Sequence, residues 1–524
     1  MANILVTDGM AAEGLDILKQ GGHTIDSRKV TADELLGIIG NYDGLVIRSA
    51  TQVTEAVIKA GAPKLKVVGR AGVGVDNVVV PAATAAGVIV MNAPLGNIVS
   101  AAEHTIGMIF AAARMIPQAH AKLAGKGEWD KKSFTGIELD GKTLGIIGLG
   151  KIGKHVAQVL QAAGMNIIAY DPFLSPEVAK ELRITAGSLD EVLANADVIT
   201  IHTPLTDQTR NLINADRLKK MKKTARIVNV ARGGLVDEAA LAEALKAGTI
   251  AGAAFDVFAT EPLPKESPLI GLPNMIVTPH LGASTEEAQV KVSVDIANQF
   301  NAFFSSGKII NAVNVHLRVD PAIDGYLAAA ESLGAAVVQS IDAPLKGLEV
   351  IARGDLAKFD TKPLAVAALK GALAKITSQV VNFVTVTKIA QERGITLTSS
   401  STEQKKDWND QLIIRAITDQ GAHEIGGSLI NGELRVQRYD EYPVDLPIGG
   451  NLLVMEYPDR PGMVGKYGTI LGDNRINIAR MEVSRIDGRG DALVILTLDD
   501  PISQPVFEQL VAVVKPTKAY KIAL

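Results

Sequence analysis

The sequence predicts an α/β chain of several domains: two doubly wound units, a further mixed α/β domain, and a small βαββαβ unit at the end. Three observations predict it. Strand-like, β-branched runs alternate with helical stretches over residues 3–280, a glycine-rich turn joins one such run to a helix at 148–153, and residues from Asn451 onward follow the order strand, helix, strand, strand, helix, strand.

A length of 524 residues exceeds what one hydrophobic core supports, and at roughly 150 residues per domain it points to three or four domains. The 53 basic and 57 acidic residues leave a net charge of −4, so no basic surplus points to a nucleic acid or an anionic membrane as partner. The chain has no cysteine, which excludes disulfides, thiolate catalysis and cysteine-ligated metal centres; no metal is expected. The opening MANILVTDGM shows no basic leader followed by an apolar core, and the apolar run at 104–116 is too short for a bilayer. A soluble, cytoplasmic protein is expected.

The first unit reads as strands NILVTD (3–8), HTIDSR (23–28), GLVIRS (44–49), KVVGRAG (66–72) and VIVMNA (88–93), separated by helices. A helix is expected to start near Ser100, with Ser100 as N-cap and Glu103 completing a capping box. The second unit runs through TLGIIGLG, NIIAYD, ADVITIHT, ARIVNVAR, AGAAFDV and NMIVTPH, and its strand ends carry Gly148, Asp171, Thr203, Arg232, Asp256 and His280. Ligands of such sheets bind beyond the carboxyl ends of the strands, so these ends matter. A long helix follows at 284–307, capped by Ser284 and stopped by Gly307. The divisions expected are 1–98, 99–287, 288–317, 318–450 and 451–524, the last boundary falling at the Pro447-Ile-Gly-Gly linker.

Four segments carry chemistry. In GLGKIG, Gly148 permits the tight turn, Gly150 lets a pyrophosphate approach the backbone, and Gly153 lets helix and strand pack closely. The amides of Lys151 and Ile152 open the helix and stabilise phosphate charge. Asp171 ends the next strand, where a carboxylate accepts ribose hydroxyls and repels a 2′-phosphate; the cofactor expected is NAD. His280 ends a strand and enters a glycine-bearing turn, TPHLGAST, and a histidine titrates in the range a proton acceptor needs. His104, His120 and His155 lie within helical runs, where packing or a solvated face accounts for them. Glu261 in FDVFATEP is the acid that would fix the His280 tautomer. Arg232, at a strand end in NVARGGLVDE, can hold a carboxylate through two parallel hydrogen bonds.

Taken together, GLGKIG, NVARGGLVDE, FDVFATEP and TPHLGAST resemble the D-isomer-specific 2-hydroxyacid dehydrogenase family in order and spacing, over roughly residues 1–317. The resemblance implies two Rossmann-like domains, the coenzyme domain inserted in the other, with the long helix after His280 returning to the first. It implies that Arg232 orients the substrate carboxylate and carbonyl oxygen, His280 takes the hydroxyl proton, Glu261 supports it, and the hydride passes to nicotinamide. Cofactor contacts then extend over Gly148, Gly150, Lys151, Ile152, Gly153, Asp171, Thr203, Pro204, Val230, Ala231, Arg232, Asp256, His280, Leu281, Gly282 and Ala283.

VIRSAT (46–51), GRAGVGVDN (69–77) and NAPLGNIVSAAEH (92–104) resemble the substrate segments of family members that act on a phosphorylated 2-hydroxyacid. Arg48 and Arg70 match positions contacting phosphate or carboxylate, and Asn97 a substrate hydrogen-bonding position. EWDKKSF resembles a segment reaching the neighbouring subunit's site; relatives often carry arginine where Lys131 stands. Val73 stands where threonine is frequent, which removes one cofactor hydrogen bond. The implied reaction is NAD-dependent oxidation of 3-phosphoglycerate, opening L-serine biosynthesis. Rival readings are a glyoxylate or hydroxypyruvate reductase and a non-catalytic, NAD-sensing protein that binds a partner.

At the other end, NLLVMEYPDRPGMVG and NIARMEVSR resemble an ACT domain, a small-molecule regulatory module. Residues 318–450 match in position the intervening domain of the long family members. Tyr457, Asp459 and Asn477 match serine-binding positions, so L-serine is the expected effector. A homotetramer is the family's expectation.

Overall fold

The computed structural model of the chain describes residues 1–315, 319–405, 410–486 and 490–524; the junction expected at 317/318 lies outside them. Two compact units result, residues 1–52, 68–77 and 91–311 in one and 53–67, 78–90 and 312–524 in the other. Among the described residues, no helix is long and apolar enough to cross a membrane.

Strands β1 (Asn3–Val6), β2 (Thr24–Ser27), β3 (Gly44–Ile47), β4 (Val67–Arg70) and β5 (Ile89–Asn92) form a sheet in the order β2-β1-β3-β4-β5, with β1 parallel to both neighbours. The runs read from sequence are these strands, four of them largely buried and the edge strand β2 half-exposed. The order reverses beside β1, which opens a crevice at the carboxyl ends, where Arg48 follows β3 and Arg70 closes β4.

The second sheet is all parallel: β6 (Thr143–Ile147), β7 (Asn166–Tyr170), β8 (Thr185–Ala186), β9 (Val198–Ile201), β10 (Arg226–Asn229), β11 (Gly252–Phe255) and β12 (Met275–Val277), ordered β12-β11-β10-β9-β6-β7-β8. Its reversal lies between β6 and β9, so the glycine turn after β6 faces Thr203 after β9. Only two residues long and exposed, β8 has no apolar run to announce it.

The Ile98–Arg114 helix leads into this sheet and the Glu286–Ser306 helix leads back out of it. The returning helix seats Phe300 beneath the first sheet, so close that a Cβ on Gly44 or Gly69 would stand 2.9 or 2.4 Å from its ring. Asn301 donates to the Ile17 carbonyl at 2.8 Å, and Ser293 accepts from the Ala11 amide at 3.1 Å. The seven-stranded domain is therefore inserted into the first.

Two caps differ from expectation. The first helix begins at Ile98 after Asn97, with no side-chain cap; Ser100 is already in its first turn, and its hydroxyl lies 2.7 Å from that of Thr285. Thr285, not Ser284, caps the returning helix, accepting from Ala288 N at 3.2 Å. Ser100 is engaged in its tertiary contact with Thr285, and of the adjacent hydroxyl residues Ser284 and Thr285 it is Thr285 that takes the second cap. The helix from Ile98 ends at Arg114, capped by Met115 with φ 50°, and a separate helix covers Ile116–Lys126.

In the second unit, β13 (Gly347–Gly354), β14 (Thr396–Thr402), β15 (Asp410–Thr418), β16 (Gly421–Ile430), β17 (Glu433–Tyr439) and β18 (Tyr442–Pro447) form a sheet ordered β14-β13-β15-β16-β17-β18, with β13 and β14 parallel and the rest antiparallel. The Gly325–Val338 and Lys362–Ile376 helices contribute to its core. Last come β19 (Asn451–Pro458), β20 (Ile478–Arg485), β21 (Asp491–Leu498) and β22 (Lys518–Ala523), an antiparallel sheet ordered β20-β21-β19-β22 with helices at Met463–Asp473 and Gln504–Val514. Alternation along these strands splits their side chains between two cores. Leu453, Met455, Val494 and Leu496 pack with Tyr467, Leu471 and Leu510, whereas Leu452, Val454, Leu493, Ile495 and Ile522 extend the core of the preceding sheet.

Candidate active site

A cavity of about 770 Å³ opens at the strand ends of the first unit, with Arg48, Arg70, Asn97, Glu261 and His280 among its walls. The turn after β3 is bracketed from two sides. Asp8 accepts from the Arg48 and Thr51 amides at 2.8 and 3.0 Å, and Asn77 donates to the Arg48 and Thr51 carbonyls at 2.7 and 2.6 Å. Arg48 is thus fixed at its backbone while its side chain reaches the cavity.

Arg70 is largely buried, and its Nε has no hydrogen-bond partner among the described residues. Burial, then the like charges of Arg232 and Arg48, bring its guanidinium down to about 10, with Asp76 and Asp8 opposing. It stays cationic at neutral pH. The cluster is short of negative charge, which suits an anionic ligand. Asn97 Oδ1 is likewise buried without a partner.

Arg232 follows β10 in a turn shaped by buried Asn229, which donates to the Arg232 carbonyl at 2.8 Å and accepts from Ala231 N at 3.0 Å. Its guanidinium stands beside the cavity rather than on its wall: Nε lies 3.1 Å from Asp76 Oδ2, and Nη1 donates to the Ala231 carbonyl at 2.6 Å. Asp76 and Asn229 were passed over in the sequence, although both sit inside the quoted runs GRAGVGVDN and NVAR.

His280 and Glu261 meet. Nδ1 is 2.6 Å from Glu261 Oε2, and Glu261 Oε1 accepts from Phe258 N at 3.0 Å. Burial raises the Glu261 carboxyl, but the bonds from His280 and Phe258 outweigh it and hold it below the usual glutamate range. An ionised carboxylate only accepts, so Nδ1 carries the hydrogen and Nε2 keeps its lone pair. His280 adopts φ 55°, a left-handed conformation that is rare without glycine and held here by its amide on the Asp256 and Thr278 carbonyls.

Dinucleotide geometry surrounds the other reversal. Gly148 has φ 93°, and a Cβ there would meet Thr203 and His202 below 3 Å; one on Gly153 would stand 2.4 Å from the Gly148 carbonyl. At Gly150 a Cβ would meet nothing, leaving open space above the first turn of the Lys151–Ala162 helix, which has no side-chain cap. Thr203 Oγ1 is buried without a partner among the described residues. Asp171 directly follows β7, partly exposed, and accepts from Leu149 and Phe173 amides at 2.7 and 2.8 Å. An uncapped helix start, an open glycine and an unpartnered hydroxyl fit the phosphates and ribose of NAD. Val230, Gly282 and Asp256 pack together at the inner end, where a Cβ on Gly282 would touch the other two. Asp256 is wholly buried, its carboxylate turned to the amides of Leu281 and Gly282.

Other expected residues lie elsewhere. Lys131 is exposed, beyond the cavity wall. Tyr457 needs correction as a ligand-facing side chain: it is 1% exposed, its ring 6.4 Å from that of Tyr467 in the C-terminal core. The alternation of β19 turns it inward. Asp459 pairs with Arg485 at 2.9 Å, and Asn477 donates to Asp499 at 2.8 Å.

Residues 106–282 match the NAD binding domain of the D-isomer specific 2-hydroxyacid dehydrogenases, 322–437 the D-3-phosphoglycerate dehydrogenase intervening domain, and 451–515 the ACT domain. The chain is 44% identical to D-3-phosphoglycerate dehydrogenase of Synechocystis sp., over 100% of this chain and 95% of that protein. It is also 44% identical to that of Methanocaldococcus jannaschii, over 97% of each. Among solved structures, the NAD-dependent formate dehydrogenase from Staphylococcus aureus in complex with NAD is 30% identical, with a TM-score of 0.54 over 59% of this chain and 97% of that one.

Proposed function

The chain belongs to the D-isomer-specific 2-hydroxyacid dehydrogenase family, among its D-3-phosphoglycerate dehydrogenases, and from that premise we propose how its residues carry the reaction. The protein is an NAD-dependent dehydrogenase that oxidises 3-phospho-D-glycerate to 3-phosphooxypyruvate. The observation that carries the residue assignment is a carboxylate-backed histidine in one cavity with two arginines.

Arg48 and Arg70 hold the phosphate, and Asn97 hydrogen-bonds the substrate. Arg232 leaves its exposed partner Asp76 to take the carboxylate through a two-point contact. His280 Nε2 accepts the C2 hydroxyl proton, and Glu261 keeps the ring's tautomer and stabilises the imidazolium that results. Gly148, Gly150, Lys151, Ile152 and Gly153 would hold the pyrophosphate, and Asp171 the adenosine ribose. Thr203, Pro204, Val230, Ala231, Asp256 and Leu281 to Ala283 would line the nicotinamide half. NAD⁺ supplies the hydride acceptor when bound. The deciding experiment is NAD⁺ reduction by the purified protein across phosphorylated and plain 2-hydroxyacids. Preference for glycolate or glycerate over 3-phosphoglycerate sinks the reading in favour of a glyoxylate or hydroxypyruvate reductase.

Three substitutions test its parts. Arg48→Ala or Arg70→Ala raises KM for 3-phosphoglycerate about tenfold to a hundredfold, since one charge-assisted contact is worth about 1.5–3 kcal/mol, and leaves KM for an unphosphorylated 2-hydroxyacid far less affected. Equal losses for both substrates count against phosphate recognition. Asp171→Ala lowers the preference for NAD⁺ over NADP⁺ by about tenfold or more, because it removes both a ribose acceptor and a repelling charge. An unchanged ratio of kcat/KM values rules this out.

The ACT domain supports regulation by a small molecule, and the effector proposed is L-serine, product of the pathway this reaction opens. Asp459 would take the amino group in exchange for Arg485, whose exposed pairing is weak and easily replaced, and Asn477 would supply donor and acceptor. Inhibition then requires different affinities for two states of the enzyme. L-serine lowers activity where D-serine and glycine do not, and Asp459→Ala abolishes the effect with uninhibited turnover intact. If millimolar L-serine alters neither activity nor Tm, the assignment fails. A cytoplasmic homotetramer, with Lys131 reaching a neighbouring subunit's site, completes the proposal; sedimentation of the full chain tests it.

A further inference from the structure

The catalytic ring sits on a segment, Thr278 to Gly282, that belongs to no helix or strand. A single buried carboxylate organises it. On one oxygen Asp256 accepts from Thr278 Oγ1 at 2.5 Å and Leu281 N at 2.8 Å, and on the other from Gly282 N at 2.8 Å. Its own carbonyl accepts from His280 N at 2.9 Å. A carboxylate with no solvent exposure is costly unless donors surround it and a cationic or strongly polar group faces it.

That group comes from the neighbouring helix. His104 Nε2 lies 3.2 Å from Asp256 Oδ1 and 3.3 Å from Thr278 Oγ1. The Thr278 hydrogen is already spent on Asp256, so toward His104 both oxygens can only accept. Nε2 therefore carries a hydrogen whether the ring is neutral or charged. The Asp256 carboxyl, pushed up by burial, is brought below its usual range by His104, Thr278 and the two loop amides. Asn97, on the cavity wall, stands two turns earlier and immediately precedes this same helix.

We propose that His104 is a positioning residue for the dehydrogenation: it braces Asp256 and Thr278, and through them fixes the 278–282 loop that holds His280 against Glu261. The inference rests on the reading of His280 as proton acceptor. If His104 merely fills space, an apolar side chain of similar size replaces it without consequence; if it braces, a donor at the same reach is required. Glutamine supplies that donor, asparagine is one methylene short, and leucine has none.

The test compares wild type with His104→Leu, His104→Gln and His104→Asn in the full-length chain. It reads kcat and KM for 3-phosphoglycerate, together with amide deuterium exchange at Leu281 and Gly282 in the absence of substrate. His104→Leu lowers kcat about tenfold to a hundredfold, the range a misplaced catalytic group produces, with KM unchanged because the arginines are untouched. The two amides exchange faster in the same variant, and His104→Gln restores both readouts. The proposal is overturned if His104→Leu keeps wild-type turnover and exchange, or if glutamine rescues neither. Should His104→Leu not fold, glutamine against asparagine decides: loss in asparagine alone supports the brace, and equal behaviour overturns it. If wild type does not oxidise 3-phosphoglycerate, the functional reading falls, and the exchange data still decide the brace.

Discussion

His280→Asn is expected to lower kcat for 3-phosphoglycerate oxidation by about 10²–10⁴-fold, the usual contribution of a positioned general base. The reason is specific to the site. Glu261 holds Nδ1 at 2.6 Å, so the lone pair on Nε2 is the ring's one free acceptor, and an asparagine amide offers no group of comparable basicity. In wild type, kcat/KM rises with pH along an acidic limb, because only neutral imidazole takes the hydroxyl proton. That limb disappears in the variant. The Glu261 carboxyl is held below the usual glutamate range, so it stays ionised throughout the working pH range and favours the imidazolium. Glu261→Gln keeps the shape but removes that charge and lowers kcat, which separates an electrostatic partner of the imidazolium from a spacer. NADH binding, followed by fluorescence, is retained by His280→Asn. Near-normal turnover in the variant would exclude His280 as the base.

Much of this site was legible because its signals are local. A glycine turn between strand and helix needs specific residues within a few positions, and Gly148 and Gly153 meet backbone and side chains just where the sequence reading placed the constraint. Strand ends were legible as well, since parallel sheets gather them along one edge, and that drew attention to Asp171, Arg232 and His280, whereas Arg48 came from the family resemblance. What escaped depends on which distant groups meet. Thr285 outranks Ser284 as a cap, although either hydroxyl satisfies the local pattern. Asp76 pairs with Arg232 across more than a hundred residues of sequence, and His104 looked like one more helical histidine until Asp256 stood beside it. In the C-terminal unit the βαββαβ order was readable from apolar runs. The inward turn of Tyr457 was not, because a tyrosine at a strand end suits a core and a binding loop equally.

Arg232→Ala should cost about 3 kcal/mol or more of transition-state binding, on the order of a hundredfold or more in kcat/KM, if the guanidinium makes two charge-assisted contacts to the substrate carboxylate. The structure offers a reason for the contact to be available. Arg232 is held by Asp76, whose side chain is 69% exposed, and exposed pairs of this kind are worth at most about 1 kcal/mol. Exchanging Asp76 for a carboxylate in a cavity already walled by Arg48 and Arg70 is therefore favourable. Arg232→Lys tests the geometry apart from the charge: an ammonium keeps the cation but cannot make the planar two-point contact, so most of the loss should persist. Asp76→Asn provides the opposite control. Freed from its partner, Arg232 should bind substrate no worse than in wild type, with KM unchanged or lowered. A lysine variant with wild-type kcat/KM would show that charge alone suffices. An alanine variant equally impaired toward 2-hydroxyacids and their carboxamides would remove Arg232 from carboxylate recognition altogether.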